Sequence, residues 1–206
     1  MIGGTGKTGR RVAAILEGGD VPVRIGSRAA APPFDWNKES GWDACLDGVR
    51  AVYITYAPDL AIPGATNAIA AFVGKARRHG VERLVLLSGR GEAEAQACEQ
   101  IVMESGLAWT VVRASWFNQN FSEGAFVDMV HAGVITLPAG DTPEPFVDVD
   151  DIAEVAAAAL TEAGHDGEIY EVTGPRLMTF ADVAGELSRA QAAFAIKIGR
   201  ASCRER

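Results

Sequence analysis

Four apolar runs recur about 25–30 residues apart: VPVRIG at 21–26, VRAVYIT at 49–55, VERLVLLS at 81–88 and LAWTVVRAS at 107–115. A helical pattern fills each gap. This alternation restricts the fold more than any other feature of the chain. Runs rich in Val, Leu and Ile suit strands buried on both faces, and strands joined by helices run parallel through right-handed crossovers. The expectation is an α/β fold, a doubly wound parallel sheet. Helix limits can be read as well. A short helix should open at a Ser40-x-x-Asp43 capping box and stop at Gly48, a second should fill 63–79 up to Gly80, and a third should end at Gly106. Beyond Ala132, HAGVITLPAG reads as an excursion, DVDDIAEVAAAALTE as a helix and EIYEVTG as a strand. MTFADVAGELSRA reads as a helix begun by a Thr179-x-x-Asp182 box.

Ligands of such sheets bind outside the carboxyl ends of the strands. Those ends give loops at 3–9, 26–28, 55–59 and 88–92, with 115–120 beside them. The first loop, GGTGKTG, contains a Gly-Lys-Thr, but a triphosphatase loop needs a glycine five positions before its Gly-Lys pair, and Met1 stands there. Gly4-x-Gly6-x-x-Gly9, overlaid by Gly3-x-x-Gly6-x-x-Gly9, runs straight into the helical RRVAAIL. That order suits a dinucleotide, whose pyrophosphate would rest on the unpaired N–H groups at the helix start. The cofactor-binding candidates are therefore Gly3, Thr5, Gly6, Lys7, Thr8 and Gly9 in the turn, Ser27 and Arg28, Thr55 and Tyr56, and Ser88. An NAD-selecting turn places Asp or Glu about 20 residues on. Here Gly26-Ser27-Arg28 occupies that place, so NADP (NADPH) is preferred and NAD remains possible. Arg28 would pair with a 2′-phosphate, with Ser27 donating and Arg24 and Lys7 adding positive potential. Trp36 either borders an adenine or packs on the sheet.

Both ends break the pattern. Only Met1 and Ile2 precede the glycine turn, so the first strand is expected to be missing. IGRASCRER at 198–206 has no hydrophobic period, and one possible coding string for it is a sequencing adapter read in frame. The chain is thus expected to be a fragment. It divides into an NAD(P)-binding domain at 1–130, a continuation with a small, truncated C-terminal substrate subdomain at 131–197, and a non-native tail at 198–206.

Composition excludes several classes. The 206 residues are 48% hydrophobic, enough for one sizeable core. A formal charge of −8 argues against nonspecific nucleic-acid binding, which needs a basic face. No apolar run reaches the roughly 20 residues of a membrane span, and no secretory signal is visible, so a cytoplasmic protein is the default. Cys45, Cys98 and Cys203 have no C-x-x-C spacing, and His79, His131 and His165 are scattered. Asp148, Asp150 and Asp151 directly precede a helix, where carboxylates complement the dipole; no metal site is expected.

The stretches GGTGKTGRRV, VERLVLLSG, SGLAWTVVRASWFNQNF, EPFVDVDDIAEVAAAAL and EIYEVTGP together resemble the NmrA-like group of atypical short-chain dehydrogenase/reductases. That group includes NAD(P)H-dependent quinone and azo reductases and redox-sensing regulators. The resemblance spans the chain to about Arg189. It implies a Rossmann-type fold, NAD(P) at Gly3, Gly6 and Gly9, a substrate side near Trp116, Phe117 and Asn120, and a native chain continuing past Ala190. The larger branch of the family uses a Tyr-x-x-x-Lys pair. Tyr53, Tyr56 and Tyr170 have no lysine four residues on, and 92–100 holds neither residue type where that pair would lie. Alcohol–ketone chemistry is disfavoured. Hydride transfer to quinone-like or related small electrophiles remains, with Tyr56, Trp116, Phe117 and Phe146 as stacking walls. The catalytic residue is left unassigned. The alternative is a catalytically silent NADP sensor acting through a protein partner. Ser88 would line the nicotinamide end of the cleft, and Arg113 would be a structural donor.

Overall fold

The computed structural model describes residues 1–124, 126–139 and 141–191, and residues 197–200 as backbone. Its elements in chain order are α1 (Lys7–Gly18), α2 (Trp42–Leu46), β1 (Ala51–Ile54), α3 (Ala65–Arg78), β2 (Arg83–Gly89), α4 (Ala93–Met103), β3 (Ala108–Ala114), α5 (Val127–His131), β4 (Val134–Leu137), α6 (Val149–Thr161), β5 (Glu168–Val172), α7 (Phe180–Gln191) and β6 (Lys197–Arg200). Among the described residues no helix is long and apolar enough to cross a membrane.

Contacts divide the chain into two compact units. Unit 1 comprises Met1–Ala114 and Val149–Val172; unit 2 comprises Ser115–Asp148 and Thr173–Arg206. The chain leaves unit 1 after β3 and returns to it for α6 and β5.

Unit 1 is built on a four-stranded sheet in the order β1-β2-β3-β5, every pair parallel. The expectation of a doubly wound sheet holds. Successive side chains of a strand point to opposite faces. Val52, Ile54, Leu84 and Leu86 share one core with Ile69, Phe72 and Val73 of α3 and Cys98 and Val102 of α4. The other face is covered by α6, which packs on β1, β2 and β3 and also against α1. The residues between β1 and β5 are therefore apolar on both sides, which is why the runs showed no polar alternation.

Two local readings are corrected. VPVRIG forms no strand: its only ladder element is a parallel bridge between Gly26 and Ile2. Its neighbour on the sheet side is just Met1 and Ile2, so pairing is confined to Gly26 N–H to Met1 O at 2.7 Å, Gly3 N–H to Gly26 O at 2.9 Å, and the Met1 amine to Arg24 O at 2.9 Å. On its other side Ile2 N–H donates to Tyr53 O at 2.9 Å. Met1 and Ile2 thus lie between 21–26 and β1. The Ser40 box does not form either. A 3-10 turn at Glu39–Gly41 precedes α2, and Gly41 is its N-cap without a side-chain bond. Asp43 instead accepts from Lys75 Nζ at 2.6 Å and lies 3.0 Å from His79 Nε2, which ties α2 to α3.

Unit 2 has its own core of Phe121, Phe126, Val130, Ile135, Phe146, Phe180, Val183 and Ala184. A parallel bridge joins Phe117 to Val147, an antiparallel one joins Glu144 to Met178, and β4 pairs parallel with β6. The Thr179 box does form: Asp182 N–H donates to Thr179 Oγ1 at 3.1 Å, while Thr179 N–H and Oγ1 donate to Asp182 Oδ2 at 2.8 and 2.7 Å. Of the stretch expected to be a tail, 198–200 belong to β6, and 201–206 lie outside the described residues.

Candidate functional site

The sheet order reverses at Ile2. From there the chain runs to 21–26 on one side and to β1 on the other, and such a reversal leaves a crevice beyond the carboxyl ends of the strands. The glycine turn stands at that point. Gly6 N–H donates to Gly3 O at 2.8 Å, closing the turn, and Gly6 is the N-cap of α1 with φ −76° and ψ 178°. No side chain caps this helix start and no acidic residue stands in its first turn. Its free N–H groups and dipole therefore favour an anion.

Two of the glycines are required by contact. Gly3 has φ +71°, and a β-carbon there would collide with the Thr55 hydroxyl. At Gly9 a β-carbon would collide with Gly3 O and lie 2.8 Å from the Gly4 Cα. Thr55 has a role to match, since its Oγ1 donates to Ile2 O at 3.1 Å and braces the turn against the end of β1. Thr5 is exposed, Lys7 half-buried and Thr8 buried.

Beyond the turn, Ser27 O accepts from Ala30 and Phe34 N–H groups at 3.2 and 2.8 Å, which folds 27–34 into a loop with Ser27 half-buried and Arg28 exposed. Arg24 points elsewhere: its guanidinium donates to the carbonyls of Cys45 and Asp47. Trp36 sits in an aromatic cluster with Phe34, Trp42, Phe72 and Tyr56, the last at 4.9 Å between ring centroids, and donates from Nε1 to Thr55 O at 3.1 Å. Trp36 is half-buried in this cluster. Tyr56 is half-buried against it.

At the end of β2 the Ser88 hydroxyl is 5% exposed as a residue and donates to Glu99 Oε1 at 2.6 Å. Arg113 of β3 grips the same carboxylate, with Nε at 3.0 and 3.1 Å from its two oxygens and Nη2 at 2.6 Å from Oε2. The hydrogen bonds to Glu99 raise the Arg113 guanidinium further above its ordinary range. Glu171 of β5 extends the network, 3.8 Å from Arg113 Nη1 and accepting from Arg90 Nε at 3.1 Å. Sequence reasoning missed Glu99, although two signals were present: a glutamate on the same helical face as Ala95, Cys98 and Val102, and an arginine inside the apolar run TVVRA. Glu92, immediately before α4, behaves differently. Burial first, then the negative charges of Asp59 and Glu94, hold its carboxyl above the usual glutamate range.

In unit 2, Trp116 is 43% exposed and lies in stacked orientation on Phe126 at 5.9 Å and edge-on to Phe180 at 5.4 Å. Phe117 and Asn120 are half-buried, and Asn120 O accepts from Phe126 N–H at 3.1 Å. Phe146 is corrected from stacking wall to core: it is buried against Phe121 and Phe180, in edge orientation to the latter at 5.1 Å. Asp150 pairs with Arg11, and Asp148 accepts from Gln119 Nε2 at 2.8 Å.

No protein-family model matches the chain. Over 212 residues it is 34% identical to the agroclavine dehydrogenase of Claviceps fusiformis, a match covering 92% of this chain and 72% of that one. It is 31% identical to the NAD(P)H azoreductase of Xenophilus azovorans over 92% of this chain and 72% of the relative. Among solved structures it resembles the NADPH-dependent quinone oxidoreductase of Escherichia coli complexed with NADPH, with TM-score 0.76, 22% identity, and coverage of 98% and 77%. The triphenylmethane reductase of Citrobacter sp. complexed with NADP(H) gives TM-score 0.74 at 20% identity, covering 98% of this chain and 78% of that one. At these identities the structural likeness speaks for the fold, a Rossmann-like parallel sheet.

Proposed function

Because the chain belongs to the oxidoreductase family that holds the NAD(P)H azoreductase and the agroclavine dehydrogenase, we propose that it is an NADPH-dependent reductase of small electrophiles. Within that family we place it in the NmrA-like branch, on the five stretches from GGTGKTGRRV to EIYEVTGP. The observation that carries the reading is the glycine cradle. A β-carbon would meet the Thr55 side chain at Gly3 and the turn's own backbone at Gly9, and the cradle ends in an uncapped helix start without acidic residues. Such a cradle fits a pyrophosphate.

Gly3, Thr5, Gly6, Lys7, Thr8 and Gly9 would hold the phosphates, with Thr55 bracing the turn. Ser27 and Arg28 would take the 2′-phosphate. Arg28 is exposed, and no carboxylate pairs with it among the described residues. This favours NADPH over NADH. Tyr56 would flank the bound cofactor and Ser88 would lie at its nicotinamide end, its proton committed to Glu99. When bound, the reduced nicotinamide supplies a hydride. Trp116, Phe117 and Asn120 would form the substrate side, the exposed indole of Trp116 offering a flat apolar face to a conjugated acceptor. A quinone suits a site without a Tyr-x-x-x-Lys pair, since its two-electron reduction leaves a stable phenolate.

Fluorescence titration with NADPH and NADH, with NADPH oxidation followed across a quinone panel, tests this. Saturable NADPH binding, lost or weakened at least about tenfold in Gly9→Val, is expected together with quinone-dependent oxidation. Binding without turnover of any quinone favours a sensing role. No binding of either nucleotide removes the reading.

A further inference from the structure

A buried hydroxyl seldom goes without a partner, because burial removes the water that would otherwise bond it. The Tyr53 hydroxyl does: its residue is 0% exposed, and no group among the described residues meets it at hydrogen-bonding geometry. Tyr53 stands on β1 between Val52 and Ile54, which share the core with α3, so its ring points to the opposite face. On that face α6 packs on β1, and α1 packs on α6. The polar side chain acting on the phenol there is that of Thr8, 4% exposed in the first turn of α1. Burial holds the phenol above its ordinary range despite Thr8, so the hydroxyl keeps its proton and remains a donor. An unmatched donor thus lies beneath the glycine cradle.

The other side of Thr8 belongs to the cradle itself. The first four N–H groups at a helix start have no partner within the helix. That of Gly6 goes to Gly3 O, which leaves those of Lys7, Thr8 and Gly9 for an anion. We propose that Tyr53 is a positioning residue for the pyrophosphate: with the anion bound, its hydroxyl donates to Thr8 Oγ1 and fixes the residue whose N–H faces that anion. The assignment rests on the dinucleotide reading above, and Tyr53, Thr8 and the cradle all belong to unit 1. A ligand favours one arrangement only through interactions that differ between the two states, and this bond is such an interaction. A phenylalanine would fill the same space without the unmatched group. The free protein would then be no less stable, and binding alone would suffer.

The test compares wild type, Tyr53→Phe, Thr8→Val and the double variant, each by thermal melting without ligand and by titration with NADPH and with ADP-ribose 2′-phosphate, which keeps the pyrophosphate and lacks the nicotinamide. Tyr53→Phe should bind both ligands about three- to tenfold more weakly, the worth of one hydrogen bond, while its midpoint equals or exceeds that of wild type. Thr8→Val should lose a similar factor, and the double variant should lose no more than the larger of the two single losses. Carbon-13 at the tyrosine ζ position gives resonances for Tyr53, Tyr56 and Tyr170, and the one absent from Tyr53→Phe belongs to Tyr53. That resonance should move on saturation with ADP-ribose 2′-phosphate in wild type and stay in Thr8→Val. Four results overturn the assignment: unchanged affinity in Tyr53→Phe, a lowered midpoint in that variant, losses that multiply in the double variant, or a Tyr53 resonance that responds to the ligand equally with and without the Thr8 hydroxyl. A wild type that binds neither ligand removes the dinucleotide reading, and the assignment falls with it.

Discussion

At the scale of single residues, the most demanding arrangement is the Glu99 carboxylate, 1% exposed and shared by Ser88 and Arg113. A buried charge is tolerable only while its partners are in place, and removing one partner of such a pair costs about 3–5 kcal/mol. Arg113 keeps some contact with water, so the lower end applies. Arg113→Met should destabilise the protein by about 3 kcal/mol in urea unfolding, and adding Glu99→Met should restore much of that loss. A single loss that the second substitution deepens would show that the pair is not coupled. The pair was partly legible, since both charges stand in apolar surroundings in the sequence. Their meeting was not, because α4 and β3 bring them together only after the sheet has paired. The glycine turn was legible because its spacing lies within seven consecutive residues, although the Thr55 contact at Gly3 comes from the end of β1 and was not. The contacts of Arg24 were not legible for the opposite reason: its carbonyl partners at Cys45 and Asp47 lie over 20 residues away.

Among elements, legibility follows how local each signal is. β1, β2, β3 and β5 and the long helices between them match the apolar runs, and Thr179 and Asp182 cap α7 as their spacing requires. VPVRIG failed as a strand because a strand depends on its neighbour, and only Met1 and Ile2 lie beside it. Ser40 failed as a cap because Asp43 is taken by α3. That diversion has a measurable consequence. The Asp43 carboxyl is held below its ordinary value of 3.8, first by its hydrogen bond from Lys75 and then by His79. A carboxyl whose pKa is lower folded than unfolded adds stability above the unfolded pKa and loses it as pH falls through the folded one. Asp43→Asn should therefore have a lower urea midpoint than wild type at pH 7, and the gap should close below about pH 4. A gap that persists undiminished at acid pH would mean that α2 is held to α3 by packing alone.

For the whole molecule, the cofactor reading makes a prediction that needs no substrate. A ligand that binds only the folded chain stabilises it by about 2.7 kcal/mol at 100 times its dissociation constant. For a chain of this length each kcal/mol is worth about 2–4 °C, so NADPH should raise the unfolding midpoint by about 5–10 °C in a thermal melt. NADH at the same concentration should raise it less if Arg28 reads the 2′-phosphate. An equal rise would remove that role from Arg28. The division into two compact units was not legible, because each unit is assembled from two separated stretches. That discontinuity governs how the protein is made. A ribosome releases 1–114 first, yet α6, which covers one face of β1, β2 and β3, and β5, which flanks β3, are encoded beyond residue 148. At about 5–20 residues per second, the half-built sheet waits several seconds for its cover while unit 2 residues emerge. During that interval its apolar face is a client for whatever chaperone meets the nascent chain.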